Sequence, residues 1–180
     1  MGRRQERFTH VYQEHYGDIK RFVGRRLAEP EVDDAVADVF AVVWRRLDEL
    51  GSTPLPWLYG VARNVLANQY RSARRARDLL EHARATSSRD ADPDHAADVA
   101  NRLAAAAAFD QLSEADQEVL RLVAWENLSS TQVGEVLGCA RTTASMRVSR
   151  ARRRLLRAMD QPEQPSGGPH LSLSHGKGAK

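Results

Sequence analysis

Apolar residues recur at intervals of three and four along most of this 180-residue chain, and this periodicity restricts the fold to packed α-helices. The first stripe runs from Phe8 to Leu27 and ends before Glu29-Pro30, because the residue before proline avoids the helical region. Comparable stripes follow over residues 32–50 and 56–77. Aromatic residues make up only 6% of the chain, which disfavours sheets. We therefore predict an all-α protein.

The helical pattern is interrupted once, and this interruption predicts two small helical domains. Residues 1–78 form an N-terminal helical bundle in this interpretation, and residues 100–159 form a second domain that contains a helix-turn-helix. Between them, residues 79–99 are polar, acidic and rich in turn formers, which predicts a flexible linker. The Pro-, Gly- and Ser-rich tail over residues 160–180 is predicted to be disordered.

The charges are distributed unevenly, although the net charge is only +3. Arginines cluster at Arg71–Arg77 and again at Arg147–Arg157, and aspartates occupy the stretch Asp90–Asp98 between them. Two basic clusters separated by an acidic stretch predict two contacts with a polyanion.

The strongest local signal is a helix-turn-helix pattern over Leu128–Leu156. Ser113–Asp116 and Ser129–Gln132 are predicted helix caps, and Gly138 is predicted to end the short helix before the turn. A major groove about 12 Å wide admits one helix, whose leading end reaches base edges while later arginines meet phosphates. The alternative is that the second helix is an arginine-rich surface helix whose side chains contact only solvent. The candidate contacts to duplex DNA are Arg141, Thr142, Thr143, Ser145, Arg147, Arg150, Arg152 and Arg153.

A second signal combines aromatic and basic residues. The stretch Trp57–Asn64 leads into the basic stretch Tyr70–Arg75. Aromatic rings beside arginines suit single-stranded nucleic acid, because bases stack on rings and phosphates pair with cations. The alternative is that Trp57 and Tyr59 belong to the core, and the residues alone leave both interpretations open.

A third signal is an acidic, partly aromatic stretch in the second predicted helix. It contains Asp33, Asp34 and Asp38, with Phe40 and Trp44 nearby. Such a face could dock another protein. A solvated helix face is the alternative for any one of these acids.

Several kinds of chemistry are not indicated by the sequence. No Gly-rich phosphate loop is present, and His10 and His15 lie five residues apart, which does not place them on one helix face. The single cysteine, Cys139, excludes an internal disulfide and lacks an evident partner base. No apolar run approaches the roughly 20 residues that span a membrane, and the N-terminus does not resemble a signal peptide. We expect a soluble cytoplasmic protein without catalytic residues, metal or cofactor.

The three signals occur in an order that resembles the extracytoplasmic-function (ECF) group of the sigma-70 family. The stretch Phe8–Phe22 resembles the opening helix of that family, and Asp33–Trp44 resembles its polymerase-binding helix. The stretch Pro56–Arg75 is similar to its promoter-melting and −10-reading segment, and Leu112–Leu155 to its −35-reading domain. The chain departs from the family pattern at three positions: Ala37 replaces a usual Gln, Thr131 a common acid, and Ser145 a frequent Lys.

The resemblance implies a sigma factor that brings bacterial core RNA polymerase to promoters and opens the DNA strands there. Its partners would be core polymerase, duplex DNA at −35, single-stranded DNA at −10 and, as a further partner that the resemblance allows, an anti-sigma factor. The implied polymerase contacts are Asp34, Asp38, Phe40 and Trp44. The implied −10 contacts are Gly51, Ser52, Thr53, Pro54, Arg63, Asn64, Arg71, Arg74 and Arg75.

Three other functions are alternatives to this one. The first alternative is an ordinary helix-turn-helix regulator that binds duplex DNA without polymerase. A metal-dependent nuclease is less favoured, because Asp90, Asp92 and Asp94 fall in a predicted linker that cannot fix a coordination shell. A purely structural adaptor would show no salt-sensitive DNA binding.

Overall fold

The computed structural model describes residues 2–80 and 104–160, with side chains described up to residue 71 in the first stretch. Within these residues all regular structure is helical, as predicted, and it forms two groups. The first group consists of α1 (Arg3–Gly24), α2 (Glu31–Arg45) and α3 (Pro54–Leu80). The second group consists of α4 (residues 104–110), α5 (Glu114–Ala124), α6 (Ser130–Leu137) and α7 (Arg141–Asp160).

The predicted linker and tail lie almost wholly outside the described residues. Leu79 and Leu80 form the end of α3, and Asp160 ends α7. The rest of the predicted linker over 79–99 and of the tail over 160–180 is not covered, so the predicted domain limits stay predictions.

The first group encloses one apolar core among its three helices. Ile19 and Phe22 from α1, Val39 from α2 and Leu58 from α3 are fully buried there. Burying a side chain of this kind stabilises the fold by about 1.5–3 kcal/mol. The apolar stripes that the sequence shows are therefore the surfaces that hold these helices together.

The first helix ends earlier than its apolar stripe predicts. α1 stops at Gly24 instead of continuing to Glu29-Pro30. Glycine is a poor helix former, and one further turn follows, in which the Leu27 amide donates to the Val23 carbonyl at 3.0 Å. The early end places Arg25 and Arg26 on a turn, where both contact the second group.

The second helix is also shorter than predicted. α2 ends at Arg45, and a 3₁₀ turn over Leu47–Glu49 replaces the expected last turns up to Leu50. A 3₁₀ turn has three residues per turn, so residues three apart share one side. Leu47 and Leu50 are both buried in this way, at 0% and 6% exposure.

The caps of the second group follow the sequence closely. Ser113 caps α5 by accepting from the Asp116 amide, and Ser129 forms a reciprocal capping box with Gln132 at the start of α6. Gly138 ends α6 in the left-handed conformation, at φ 63°, which glycine adopts without strain. These features confirm the predicted helix-turn-helix.

The two groups pack against each other. α3 lies along α6, and the buried apolar residues of both groups form a continuous cluster. α7 in turn rests on α5 and α6 through Ala144, Val148 and Ala151, which are all buried.

Candidate functional surfaces

The exposed face of α7 is the first candidate surface. Because Ala144, Val148 and Ala151 face inward, residues on the opposite side of the helix face solvent. Of the eight predicted duplex-DNA contacts, seven are exposed and Thr143 is half-buried. The seven exposed positions are Arg141, Thr142, Ser145, Arg147, Arg150, Arg152 and Arg153.

Sequence reasoning missed Met146, which lies on this same face. Thr142, Met146, Arg150 and Arg153 follow one another at steps of four, four and three, so they share one side of the helix. Met146 is 52% exposed, so a large apolar side chain lies within this basic face. The burial pattern of α7 would have pointed to this position, whereas a search for polar and basic residues passed over it.

The predicted −10 residues extend from the loop before α3 to the second half of that helix. Gly51, Ser52 and Thr53 form an exposed loop, and Pro54 is the first residue of α3, a position that proline favours. Arg71 is exposed and donates to the side-chain oxygen of Asn68 at 2.5 Å. Arg74 and Arg75 lie on the α3 backbone, but their side chains are outside the described residues.

Arg63 and Asn64 line a cleft between α3 and α6. The cleft has a volume of about 240 Å³. Arg46 and Trp57 lie on the same wall as Arg63 and Asn64, and residues 135–138 form the opposite wall. Arg63 and Asn64 therefore both line the cleft, whereas the Gly51–Pro54 loop is not part of this lining.

The aromatic residues near the cleft have different environments. Tyr59 is buried and stacks on Phe22 with 4.8 Å between ring centroids. Burial raises the pKa of Tyr59 to about 12. The side chain therefore belongs to the core, as one of the two sequence interpretations proposed. Trp57 is half-buried, with the Arg46 guanidinium 5.6 Å from its ring.

The predicted protein-docking face of α2 is partly exposed. Asp34 and Asp38 are exposed one turn apart, and Asp38 accepts from the Gln69 amide at 3.4 Å. Trp44 is 40% exposed, whereas Phe40 is 4% exposed and packs against the Tyr12 ring. Phe40 thus lies inside the fold, behind the surface that the other three residues form.

Trp44 is held by neighbours from α1. Its ring meets Phe8 edge-on at 5.1 Å, and the Arg4 guanidinium lies 5.4 Å from its centroid. Arg4 also donates to the Trp44 carbonyl at 2.9 Å and pairs with Asp48 at 2.7 Å. An exposed aromatic ring in a fixed position is typical of a protein-binding surface.

Residues 2–80 and 104–160 contain neither a metal-binding cluster nor a membrane-spanning helix. Within these residues, no group of His, Cys, Asp and Glu side chains has the arrangement of a metal site. No helix in the described part of the chain is both long enough and apolar enough to span a membrane.

Two family models match the chain. Residues 11–76, which cover most of the first helical group, match Sigma-70 region 2. Residues 102–155, which contain the helix-turn-helix, match Sigma-70, region 4. The match to region 2 disfavours a simple helix-turn-helix regulator, because such a regulator needs only the second group.

Curated relatives agree with these matches. The chain is 28% identical over 149 residues to the ECF RNA polymerase sigma factor SigL of Mycobacterium tuberculosis, covering 81% of this chain and 84% of the relative. It is 30% identical over 146 residues to the RNA polymerase sigma factor CnrH of Cupriavidus metallidurans, covering 74% of this chain and 76% of the relative.

Solved structures show the same fold. The sigma factor RpoE of Bartonella quintana, solved with the anti-sigma factor NepR, aligns with a TM-score of 0.62 at 22% identity, covering 87% of this chain and 98% of that one. CnrH, solved with the cytosolic domain of CnrY, aligns with a TM-score of 0.58 at 24% identity, covering 88% of this chain and 91% of that one. The chain therefore belongs to the ECF group of the sigma-70 family and is an RNA polymerase sigma factor.

Proposed function

We propose that the two helical groups divide promoter recognition between them. The exposed face of α7 binds the duplex −35 element, and the α3 side of the cleft, with Arg63 and Asn64, holds the unpaired −10 strand. The observation that carries this proposal is the face of α7, where Thr142, Met146 and Arg150 are presented to solvent by a helix anchored on its opposite side. The other six predicted duplex-DNA contacts on α7 would contribute to the same interface.

The proposed polymerase contact is the exposed side of α2. Asp34 and Asp38 offer two carboxylates to a basic surface, and Trp44 offers an aromatic anchor. Phe40 supports this surface from within. Core RNA polymerase acts in the bacterial cytoplasm, so the chain is proposed to act there as a non-catalytic subunit.

Run-off transcription tests this assignment. The purified chain is mixed with core RNA polymerase and fragments of genomic DNA, and transcript ends are mapped. We expect a small set of start sites that appear only when both proteins are present. Absence of chain-dependent start sites would contradict the proposal, while salt-sensitive duplex binding without polymerase would support the regulator instead.

An anti-sigma factor is proposed as an additional partner. Both solved structures named above contain a sigma factor bound to an anti-sigma factor or to the cytosolic part of a second protein. A partner of this kind should co-purify with the tagged chain and abolish its run-off transcripts when added back. A co-purified protein that leaves transcription unchanged would not have this role.

A further inference from the structure

Two arginines of α1 bind the backbone that leads out of α2. Arg4 donates to the Trp44 carbonyl at 2.9 Å and pairs with Asp48 at 2.7 Å. Arg7 lies three residues further along α1 and donates to the Leu50 carbonyl at 2.6 Å. The last carbonyls of a helix have no partner within that helix. The two guanidinium groups therefore satisfy acceptors at the end of α2 and at the end of the 3₁₀ turn that follows it.

The same 3₁₀ turn is also held from the side of α3. Arg46 donates to the Glu49 carboxylate through its Nε at 2.8 Å, and the Arg46 guanidinium lies 5.6 Å from the Trp57 ring. Leu47 and Leu50 of the turn are buried in the core. The turn is therefore fixed by contacts to α1 on one side and to α3 on the other.

The Gly51–Pro54 loop follows this turn directly and carries four of the predicted −10 contacts. Residues 51–53 are exposed, and a β-carbon placed on Gly51 would meet no described atom within 4 Å apart from those of its chain neighbours. Packing around Gly51 therefore does not fix the path of the loop, and its position depends on its two ends. One end is the start of α3. The other is Leu50, whose carbonyl is bound by Arg7.

We propose that Arg7 is a positioning residue for the Gly51–Pro54 loop, and that the loop selects the unpaired −10 base only while the Leu50 carbonyl is held. A hydrogen bond from a charged donor is stronger than one between neutral groups, and this bond reaches the last residue before the loop. Arg7 acts on DNA only through the loop. The effect on base selection rests on the function proposed above, whereas the ordering of the turn by Arg7 does not.

Hydrogen exchange of the Leu50 amide in the chain alone tests the ordering of the turn. This amide donates to the Leu47 carbonyl at 3.2 Å, so its protection reports how often the turn opens. Arg7→Met keeps a long side chain but removes every donor, and should raise the exchange rate of the Leu50 amide about fivefold. Arg3→Met makes the same charge change at an exposed position of α1 and should leave the rate unchanged. A wild-type rate in Arg7→Met would overturn the ordering.

Base selection is tested by run-off transcription with core polymerase at a start site mapped with the wild-type chain. The template is changed one base at a time near −10, and the yield from the best base is divided by the yield from each other base. Arg7→Met should lower this ratio at least about threefold, because a loop with several conformations presents the selective one only part of the time. Affinity for core polymerase and for the −35 duplex should stay at the wild-type value, and Arg3→Met should match wild type throughout.

The two measurements separate the possible outcomes. Faster exchange in Arg7→Met with an unchanged yield ratio would overturn the positioning role, and so would an equal loss of selection in Arg3→Met. Circular dichroism checks that each variant keeps its helices. If Arg7→Met does not fold, Arg7→Gln decides the question, because its shorter side chain ends before the position of the guanidinium. A wild-type chain that gives no run-off transcripts would contradict the promoter function, and base selection with it, but would not alter the exchange result.

Discussion

Met146 and Arg153 occupy the same exposed face of α7, yet the two side chains can do different things to DNA. A methionine offers only apolar contact, and the apolar feature of a base edge in the major groove is the thymine methyl group. An arginine further along the helix can neutralise a phosphate, which carries no sequence information. Met146 should therefore contribute to sequence specificity, whereas Arg153 should contribute to the affinity for all DNA sequences.

This difference leads to a paired prediction for duplex binding. Met146→Ala should relax the preference at one base pair of the −35 element, where a mismatch ordinarily costs about 1–3 kcal/mol. Arg153→Ala should weaken binding to all sequences alike and flatten the salt slope by about one unit. Dissociation constants for a set of singly substituted duplexes at several salt concentrations measure both effects. Identical profiles for the two variants would contradict these roles.

Asn64 gives a prediction for strand opening. Its amide offers both donors and an acceptor to a base edge, and the side chain is exposed on the cleft. Asn64→Ala should leave polymerase binding and −35 binding almost unchanged but reduce opening of the DNA near −10. Gln13→Ala is the control, because Gln13 carries an exposed side-chain amide on α1, outside the cleft lining. Equal opening by the two variants would exclude Asn64 from the pocket.

The burial or exposure of a single side chain could be predicted from the sequence where its polarity alone decides it. The exposed arginines of α7 are of this kind. Phe40 and Met146 are not, because a large apolar side chain can either pack inward or be presented outward, and its neighbours in space decide which. The helix period places Phe40 inside and Met146 outside only once the buried side of each helix is known.

At the scale of elements, Gly134 controls the turn between α6 and α7. A β-carbon on Gly134 would lie 2.7 Å from the Cys139 carbonyl oxygen, and this neighbour is backbone that cannot rotate away. Gly134→Ala should therefore lower the free energy of unfolding by about 1–3 kcal/mol, as overpacking usually does. Thermal unfolding followed by circular dichroism measures the change.

The control for this glycine is Gly17→Ala. Gly17 lies within α1, and the nearest atom to an added β-carbon is the end of the Arg21 side chain at 3.4 Å. Alanine in a helix interior stabilises by roughly 0.5–1 kcal/mol relative to glycine. A midpoint for Gly134→Ala at or above that of Gly17→Ala would contradict the close approach in the turn.

The acidic face of α2 gives a prediction about polymerase binding. Asp34→Lys/Asp38→Lys places two cations against a surface expected to be basic, and like charges across an interface cost several kcal/mol. Affinity for core polymerase should fall at least about tenfold. Asp110→Lys/Glu114→Lys makes the same charge change at exposed positions of the second group and should bind normally. Equal binding by the two double variants would remove this face from the interface.

The helices differ in how far the local sequence determines where they begin and end. Ser129, Gln132 and Gly138 act through neighbours only a few residues away, so the limits of α6 were predictable. The ends of α1 and α2 were not, because the apolar stripe of each helix runs past the residue at which the helix ends. Gly24 is followed by arginines that pair with the second group, and Leu47 turns inward to the core.

At the scale of the whole molecule, the contact between the two groups was not predicted. In the sequence Arg26 is one more charged residue at a helix end, and its partners Glu118 and Glu126 lie 92 and 100 residues away. Local pattern carries no information about such distant pairing. The division into two helical groups was predictable because each contains its own apolar stripes.

At the scale of the whole molecule, the central claim is that the chain opens promoter DNA together with core polymerase. The most direct measurement is permanganate reactivity of thymines at a start site mapped by run-off transcription. With the chain and core polymerase together, thymines near −10 should become reactive, and with either protein alone they should not. Chain-dependent protection of duplex DNA without reactive thymines at any mapped site would contradict the claim.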